Sequence, residues 1–191
     1  MPRVRAAFTL IEVVITTAIA LLVFYFAAAA FLNLMESGAI TTGAQMVSDC
    51  LAEARQDALT QNMPVEVRLY ATSNAGYGAL QLHWCQTDGT TPAASLPVIL
   101  PSTAIIDATP AHSTLVTTNP ATPAPDPGDL RLNALTRCFH FLPDGSTDLA
   151  TGTPWTLTVR AAAQSNPAQF PSNWACLTLD PFTGRAQIYR P

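Results

Sequence analysis

Two short motifs of mirrored order carry the residues best suited to chemistry. One residue separates His83 from Cys85, and one residue separates Cys138 from His140. Residues two apart on a β-strand lie on the same face of a sheet. On neighbouring antiparallel strands, the two motifs could present a Cys₂His₂ tetrahedron of the kind that binds zinc. The simpler interpretation, in an oxidising compartment, is a disulfide between Cys85 and Cys138 with two surface histidines.

The other candidate groups are given no chemistry. Cys50 lies on the apolar side of a predicted helix, so we expect a small buried hydrophobic residue rather than a reactive thiol. His112 lies in a loop with no evident partner, and we assign it no role. The sequence contains no nucleophile elbow, phosphate-binding loop or HExxH metalloprotease motif. We therefore expect no catalytic residue, cofactor or resident metal, and we predict that the protein is not an enzyme.

The charge distribution argues against nucleic acid as a partner. All nine basic residues are arginines, and they face 13 carboxylates in the chain as a whole. From residue 44 onward, seven arginines face eleven carboxylates. This acidic balance provides no positive field for DNA, RNA or an anionic membrane surface. No basic residue occurs between Arg5 and Arg55, which points to a different role for the N-terminal segment.

That segment is predicted to cross a membrane once. Residues 1–7 contain two arginines, and the polar residues among the 22 of 13–34 are two threonines and one asparagine. As a helix, such a stretch spans about 30 Å of hydrocarbon. Because the arginines precede the span and none follows it closely, we expect the N-terminus to lie in the cytoplasm. Glu12, near the start of the span, is costly in lipid and is expected to have a partner.

The rest of the chain predicts an α+β domain. Apolar residues recur at three- and four-residue steps through 47–58, and Asn62 and Pro64 end the helix. Short apolar or alternating runs then predict strands, with turns at 143–146 and 180–184. One helix followed by strands alone implies an antiparallel sheet packed on that helix. The predicted strands are 65–70, 80–85, 98–100, 104–106, 138–142, 155–159, 175–179 and 186–189.

These predictions divide the chain into four segments. They are a leader (1–7), a transmembrane helix (8–34), its amphipathic continuation (35–62) and a β-rich head (63–191). Within the head, residues 108–128 are rich in threonine, alanine and proline, so we expect an irregular surface loop there.

Residues 7–12, AFTLIE, resemble the processing and methylation site of type IV pilins and pseudopilins. The resemblance implies that a prepilin peptidase cuts between Ala7 and Phe8 and that the new amino group of Phe8 is methylated. It also implies that Glu12, the fifth residue of the mature chain, pairs with the N-terminal amine of a neighbouring subunit. Ala7 takes the place of the glycine that is usual before the cut.

Several later motifs resemble the GspH/FimT group of minor pseudopilins. They are Ala54-Arg55, NMPVEV at 62–67, FLPDGS at 141–146 and DPFTGRAQI at 180–188. The resemblance implies a pilin-like structural subunit of a type II secretion or type IV pilus-like filament. Its partners would be other pilins or pseudopilins, the prepilin peptidase and an inner-membrane assembly platform. The protein would be single-pass, with its C-terminal domain in the periplasm or in an extracytoplasmic filament.

Two alternatives stay open. FimT-like pilins that bind DNA carry Gly-Arg-x-Arg near the C-terminus, and here Gln187 replaces the second arginine after Gly184 and Arg185. Arg185 and Arg190 are therefore the candidate DNA contacts, although the acidic balance of the domain opposes this role. The other alternative is a membrane-tethered periplasmic protein of different function, which would not need the carboxylate of Glu12.

Overall fold

The computed structural model describes residues 9–73, 76–118, 133–163 and 173–191. The chain divides into two compact units, Met1–Ser37 and Gly38–Pro191. Within the described residues, one long helix and eight strands form most of the regular structure. They are α1 (Leu10–Gln61), β1 (Val65–Ser73), β2 (Gly76–Trp84), β3 (Val98–Ile99), β4 (Ala104–Asp107), β5 (Asn133–Phe141), β6 (Trp155–Ala161), β7 (Trp174–Leu179) and β8 (Ala186–Tyr189).

The first unit is the apolar beginning of α1. The Thr9 hydroxyl accepts a hydrogen bond from the Glu12 amide at 3.3 Å, which is the geometry of a helix N-cap. From Leu10 to Ala28, this helix is long and apolar enough to span a membrane, and none of those 19 residues is buried within the chain. The hydroxyls of Thr16 and Thr17 donate to carbonyl oxygens one turn earlier, at 2.8 Å, so both are satisfied without water.

The second unit uses the rest of α1 as one wall of its core. The helix buries a stripe at the expected three- and four-residue spacing, and this stripe joins the apolar residues of the sheet in one cluster. Gly38 opens the unit, and the Asn62 backbone, at a φ of 50°, turns the chain out of the helix. The buried hydrophobic residues of the helix are Ile40, Ala44, Val47, Cys50, Leu51, Ala54 and Ala58.

The sheet is antiparallel, in the order β5-β1-β2-β4-β6-β7-β8, with β3 also paired to β2. Apolar residues alternate along its strands, and one face packs into the core with α1. The predicted α+β class, with a long helix on an antiparallel sheet, is therefore confirmed, and every predicted strand is present. The core positions of the sheet include Val65, Val67, Leu69, Leu80, Leu82, Phe139, Phe141, Leu157, Val159, Leu177 and Leu179.

Motifs that resemble those of the GspH/FimT group lie close together where α1 approaches two turns of the head. Arg55 Nε donates to the Thr183 carbonyl oxygen at 2.8 Å. Gly184 has a φ of 63°, and a Cβ there would collide with the carbonyl oxygen of Gly145. Only glycine combines this left-handed backbone with this close approach. Thr147 N–H donates to the Pro181 carbonyl at 2.9 Å and joins the two turns directly.

The predicted irregular loop at 108–128 is corrected in its first half. Thr114–Thr117 form a 3₁₀ helix, and both Leu115 and Val116 are buried. The segment is ordered because it is hydrogen-bonded to β6: the Ser113 hydroxyl accepts from the Thr158 amide at 2.9 Å. The second half of the predicted loop, from residue 119, lies outside the described residues.

Candidate functional site

Among the candidate processing and assembly residues, Glu12 is the one that the structure describes. It lies in the first turn of α1 and is exposed within the isolated chain. A carboxylate in the first helical turn also interacts favourably with the helix dipole. Ala7 and Phe8, the predicted processing residues, lie outside the described residues, so their predicted roles stay predictions.

The head contains a second set of polar residues, on the sheet face opposite the core. Glu66 and Arg68 alternate along β1 with core residues, yet they are only 4% and 2% exposed. Arg68 donates to both oxygens of Glu66, at 3.0 and 2.9 Å. Burial alone would raise the pKa of Glu66, but the hydrogen bonds and charge of Arg68 outweigh it and lower that pKa. The pair is thus a buried ion pair.

Strand order excludes the Cys₂His₂ arrangement that the two motifs could have presented. The Cys/His motifs lie at the end of β2 and on β5, which are not neighbours, because β1 runs between them. In the register, Glu66 lies opposite His83 on one side and opposite His140 on the other. Cys138 lies opposite Arg68 instead. A Cys₂His₂ site built from both motifs is therefore not formed.

His83 is fully engaged by its neighbours. Its Nδ1 lies 2.9 Å from the Thr91 carbonyl oxygen, and its Nε2 lies 3.3 Å from the Tyr70 hydroxyl. Burial lowers the pKa of His83, so the neutral ring is favoured. This histidine holds the segment after β2 over the polar face of the sheet.

His140 is differently placed and meets Cys85 and Glu66. One potential ligand atom from each of these three residues lies within 4.8 Å of the other two. His140 Nδ1 bonds the Asp148 carboxylate at 2.7 Å, and the His140 amide donates to the other Asp148 oxygen at 2.8 Å. The Asp148 hydrogen bond, and then the Cys85 side chain, raise the pKa of His140 to about 10.

All four cysteines lie in the described part of the chain and are free thiols there, and the possible disulfide between Cys85 and Cys138 stays a prediction. Both thiols lie near Glu66, and Cys85 also lies near His140. Burial, and then the Glu66 charge, raise the pKa of Cys138 to about 12. Cys50 is buried as predicted, and burial likewise raises its pKa to about 12.

The two candidate DNA contacts lie at the two ends of one strand. Arg185 and Arg190 flank the four residues of β8, about 17 Å apart at the usual rise of a strand. Arg185 lines an open groove together with Asp180 and Gln187. Arg190 donates to the Asn173 side chain at 3.2 Å. This arrangement gives no specific support to nucleic-acid binding.

No protein-family model matches the sequence, and no curated protein matches it significantly. Solved structures do match the fold. A structure of the minor pseudopilin EpsH from the type 2 secretion system of Vibrio cholerae aligns with a TM-score of 0.50 at 15% identity, covering 80% of this chain and 97% of that one. A crystal structure of EpsH aligns with a TM-score of 0.51 at 14% identity, covering 81% and 96%. The chain has a pilin-like fold.

Proposed function

We propose that this protein is a structural minor pseudopilin, of the GspH/FimT type, in a type II secretion or type IV pilus-like filament. The observation that carries the proposal is one combination: an apolar helix that begins with a carboxylate, on a chain whose fold resembles that of EpsH. Neither feature alone would suffice. A plain anchor has no use for Glu12, and a fold by itself does not define a function.

Glu12 has a physical task in this proposal. A charged residue at the centre of a membrane helix costs about 2.5–3.5 kcal/mol, and less near an end. A neighbouring subunit can offset that cost with the positive amine of its own processed N-terminus, because opposite charges attract strongly in a medium of low dielectric constant. Subunits would then enter the filament in a fixed axial register, set by the Glu12–amine pair.

The proposal also specifies partners and location. The prepilin peptidase would remove residues 1–7, and the processed chain would assemble with other pseudopilins on an inner-membrane platform. The N-terminus would face the cytoplasm and the head the periplasm. The protein would act by assembly, without a cofactor and without catalysis.

The test replaces Glu12 with alanine in the full chain, in cells that have a functional filament system. We expect Glu12→Ala to insert and be processed, but its incorporation into filaments should fall at least about tenfold. Losing the ion pair should cost more than about 1.4 kcal/mol, which corresponds to a factor of ten. Glu36→Ala, in the same helix beyond the apolar stretch, is the matched control and should assemble normally. Cross-linking to other pseudopilins measures incorporation.

Mass spectrometry of the mature protein provides the second readout, with a methylated Phe8 expected at its start. Retention of Met1 beside an active prepilin peptidase, or normal assembly of the Glu12→Ala variant, would contradict the proposal. The DNA-uptake alternative makes a separate prediction: salt-sensitive DNA binding that is lost on Arg185→Ala.

A further inference from the structure

We propose that Glu66, Cys85 and His140 form a binding site for a single divalent transition-metal ion, with Zn²⁺ the best fit. The site lies within the head and does not depend on the proposed filament function.

Strand order brings the three residues together. Glu66 is on the central strand of the three, β1, while Cys85 directly follows β2 and His140 is on β5. Their potential ligand atoms already lie within 4.8 Å of one another. Ligands of tetrahedral zinc, at about 2.0–2.3 Å from the metal, are about 3.5 Å apart. Side-chain movements of about an ångström would therefore bring the three ligand atoms to the spacing that zinc needs.

Asp148 orients the histidine for this role. Its carboxylate takes His140 Nδ1 at 2.7 Å, so Nε2 is the ring nitrogen left for a metal. Metal-binding histidines usually have such a carboxylate on their other nitrogen, where it fixes the tautomer and raises ligand basicity. His83 provides the contrast on the same face, because Thr91 and Tyr70 engage both of its ring nitrogens.

The fixed charges beside the site favour a cation. The carboxylates of Glu66 and Asp148 outnumber the guanidinium of Arg68, which pairs with Glu66 at 2.9 Å.

The ligand types narrow the choice of metal further. Thiolate and imidazole favour zinc and its transition-metal neighbours over calcium and magnesium, which prefer oxygen alone. Three protein ligands leave one tetrahedral position for water. The His140 side chain is 34% exposed, so an ion can reach the site from solvent. Bound metal would fasten the edge strand β5 and its following turn to β1 and β2.

The test uses the full chain in detergent, reduced, stripped with a chelator and titrated with Zn²⁺ or Co²⁺ alone. We expect one equivalent to bind, with a thiolate-to-cobalt charge-transfer band in the near ultraviolet. Cys85→Ser should abolish the band, and Asp148→Asn, which keeps all three ligands, should weaken affinity about 10- to 100-fold. Cys176→Ser, the matched thiol control, should behave as the wild type.

Alkylation of the wild-type protein tests the site without any variant that could misfold. Bound Zn²⁺ should protect Cys85 from iodoacetamide by at least tenfold, as read by peptide mass spectrometry, and leave Cys176 unaffected. The proposal is overturned if the folded, reduced protein binds no stoichiometric metal, if Cys85→Ser keeps the cobalt band, or if zinc protects both cysteines equally. A persistent Cys85–Cys138 disulfide in the isolated protein, with no metal present, would overturn it too.

Discussion

Two histidine–carboxylate pairs lie in different halves of the sheet and differ in what surrounds them. In the first, at the end of β4, Asp107 accepts from His112 Nδ1 at 2.8 Å and from Arg160 Nε at 3.0 Å. Its other oxygen accepts from the Thr109 amide at 2.9 Å. We call Asp107, His112 and Arg160 the closed cluster, because its side chains are at most 10% exposed and no sulfur is present among its members. The expectation that His112 has no partner is therefore wrong.

The second pair, His140 with Asp148, adjoins Glu66 and Cys85 and has side chains that are partly exposed. We call these four residues the open cluster. The difference between the clusters teaches that a histidine–carboxylate contact alone does not indicate a function. In the closed cluster the contact fixes a loop to the sheet. In the open cluster the same contact orients a ring whose second nitrogen faces other potential ligands.

Removing the carboxylate of the closed cluster should have the largest effect. Asp107→Asn takes away the charge that offsets buried Arg160, and breaking a buried ion pair costs about 3–5 kcal/mol. We expect a loss of about 4 kcal/mol in the free energy of unfolding of the head. Urea denaturation of the full chain in detergent measures it, with the exposed Glu53→Gln as control. A loss below about 1 kcal/mol, which is typical of a surface ion pair, would show that the closed cluster stabilises the head no more than a surface pair does.

Glu66→Gln should be the next most damaging change. It removes the partner of buried Arg68, but Arg68 keeps its hydrogen bond to the Thr91 hydroxyl at 2.8 Å. We therefore expect a loss of about 3 kcal/mol in the free energy of unfolding, measured by the same denaturation experiment. Added Zn²⁺ should separate the two clusters. It should raise the free energy of unfolding of the wild type and of Asp107→Asn equally, and that of Glu66→Gln by less. Equal stabilisation of all three would argue against Glu66 as a ligand.

Acid should reveal the smallest difference, and Asp107 of the closed cluster provides the test. Burial alone would raise the pKa of Asp107, but hydrogen bonds from His112 and Thr109 and the charge of Arg160 lower it. A folded-state pKa below the unfolded value of about 3.9 means that the stabilisation is present above that pH and is lost as the pH falls through the folded pKa.

We therefore expect the unfolding free energy of the wild type to fall below about pH 5, by up to about 1.4 kcal/mol per pH unit for this one proton. Asp107→Asn should have the shallower slope, and Glu53→Gln should match the wild type. Denaturation curves recorded at several acidic pH values provide the measurement. Parallel slopes for the wild type and Asp107→Asn would show that the carboxylate does not carry the acid sensitivity.

The elements of this fold were predictable because each has a local pattern. Alternation marked the strands, and Asn62 and Pro64 marked the end of α1. The polar face of β1 was not predictable in the same way. Alternation of Val65 and Val67 with Glu66 and Arg68 is typical of a strand with one face in water, yet both faces are buried here. The segment after β2 covers this polar face through contacts between residues that are distant in the sequence, and no local pattern encodes such contacts.

The open cluster was half predicted. The Cys/His motifs pointed to the correct strands, but the site residues depend on β1 lying between β2 and β5, which spacing alone does not reveal. Asp148 was missed, although its position shortly after the turn at 143–146 was a usable signal, since such a turn folds the chain back onto its own strand. His112 and Asp107 are five residues apart, so their contact was the easiest to predict among those that were overlooked.

The contacts among Arg55, Gly145 and Gly184 affect how the head opens locally. Since Arg55 holds one turn and that turn holds the other, neither can open without releasing the end of α1. Local opening should therefore occur as one concerted event, and the amides of Gly145, Thr147 and Gly184 should exchange hydrogen for deuterium at a common rate. The turn that precedes β8 is in this sense fixed by a guanidinium more than a hundred positions earlier in the sequence.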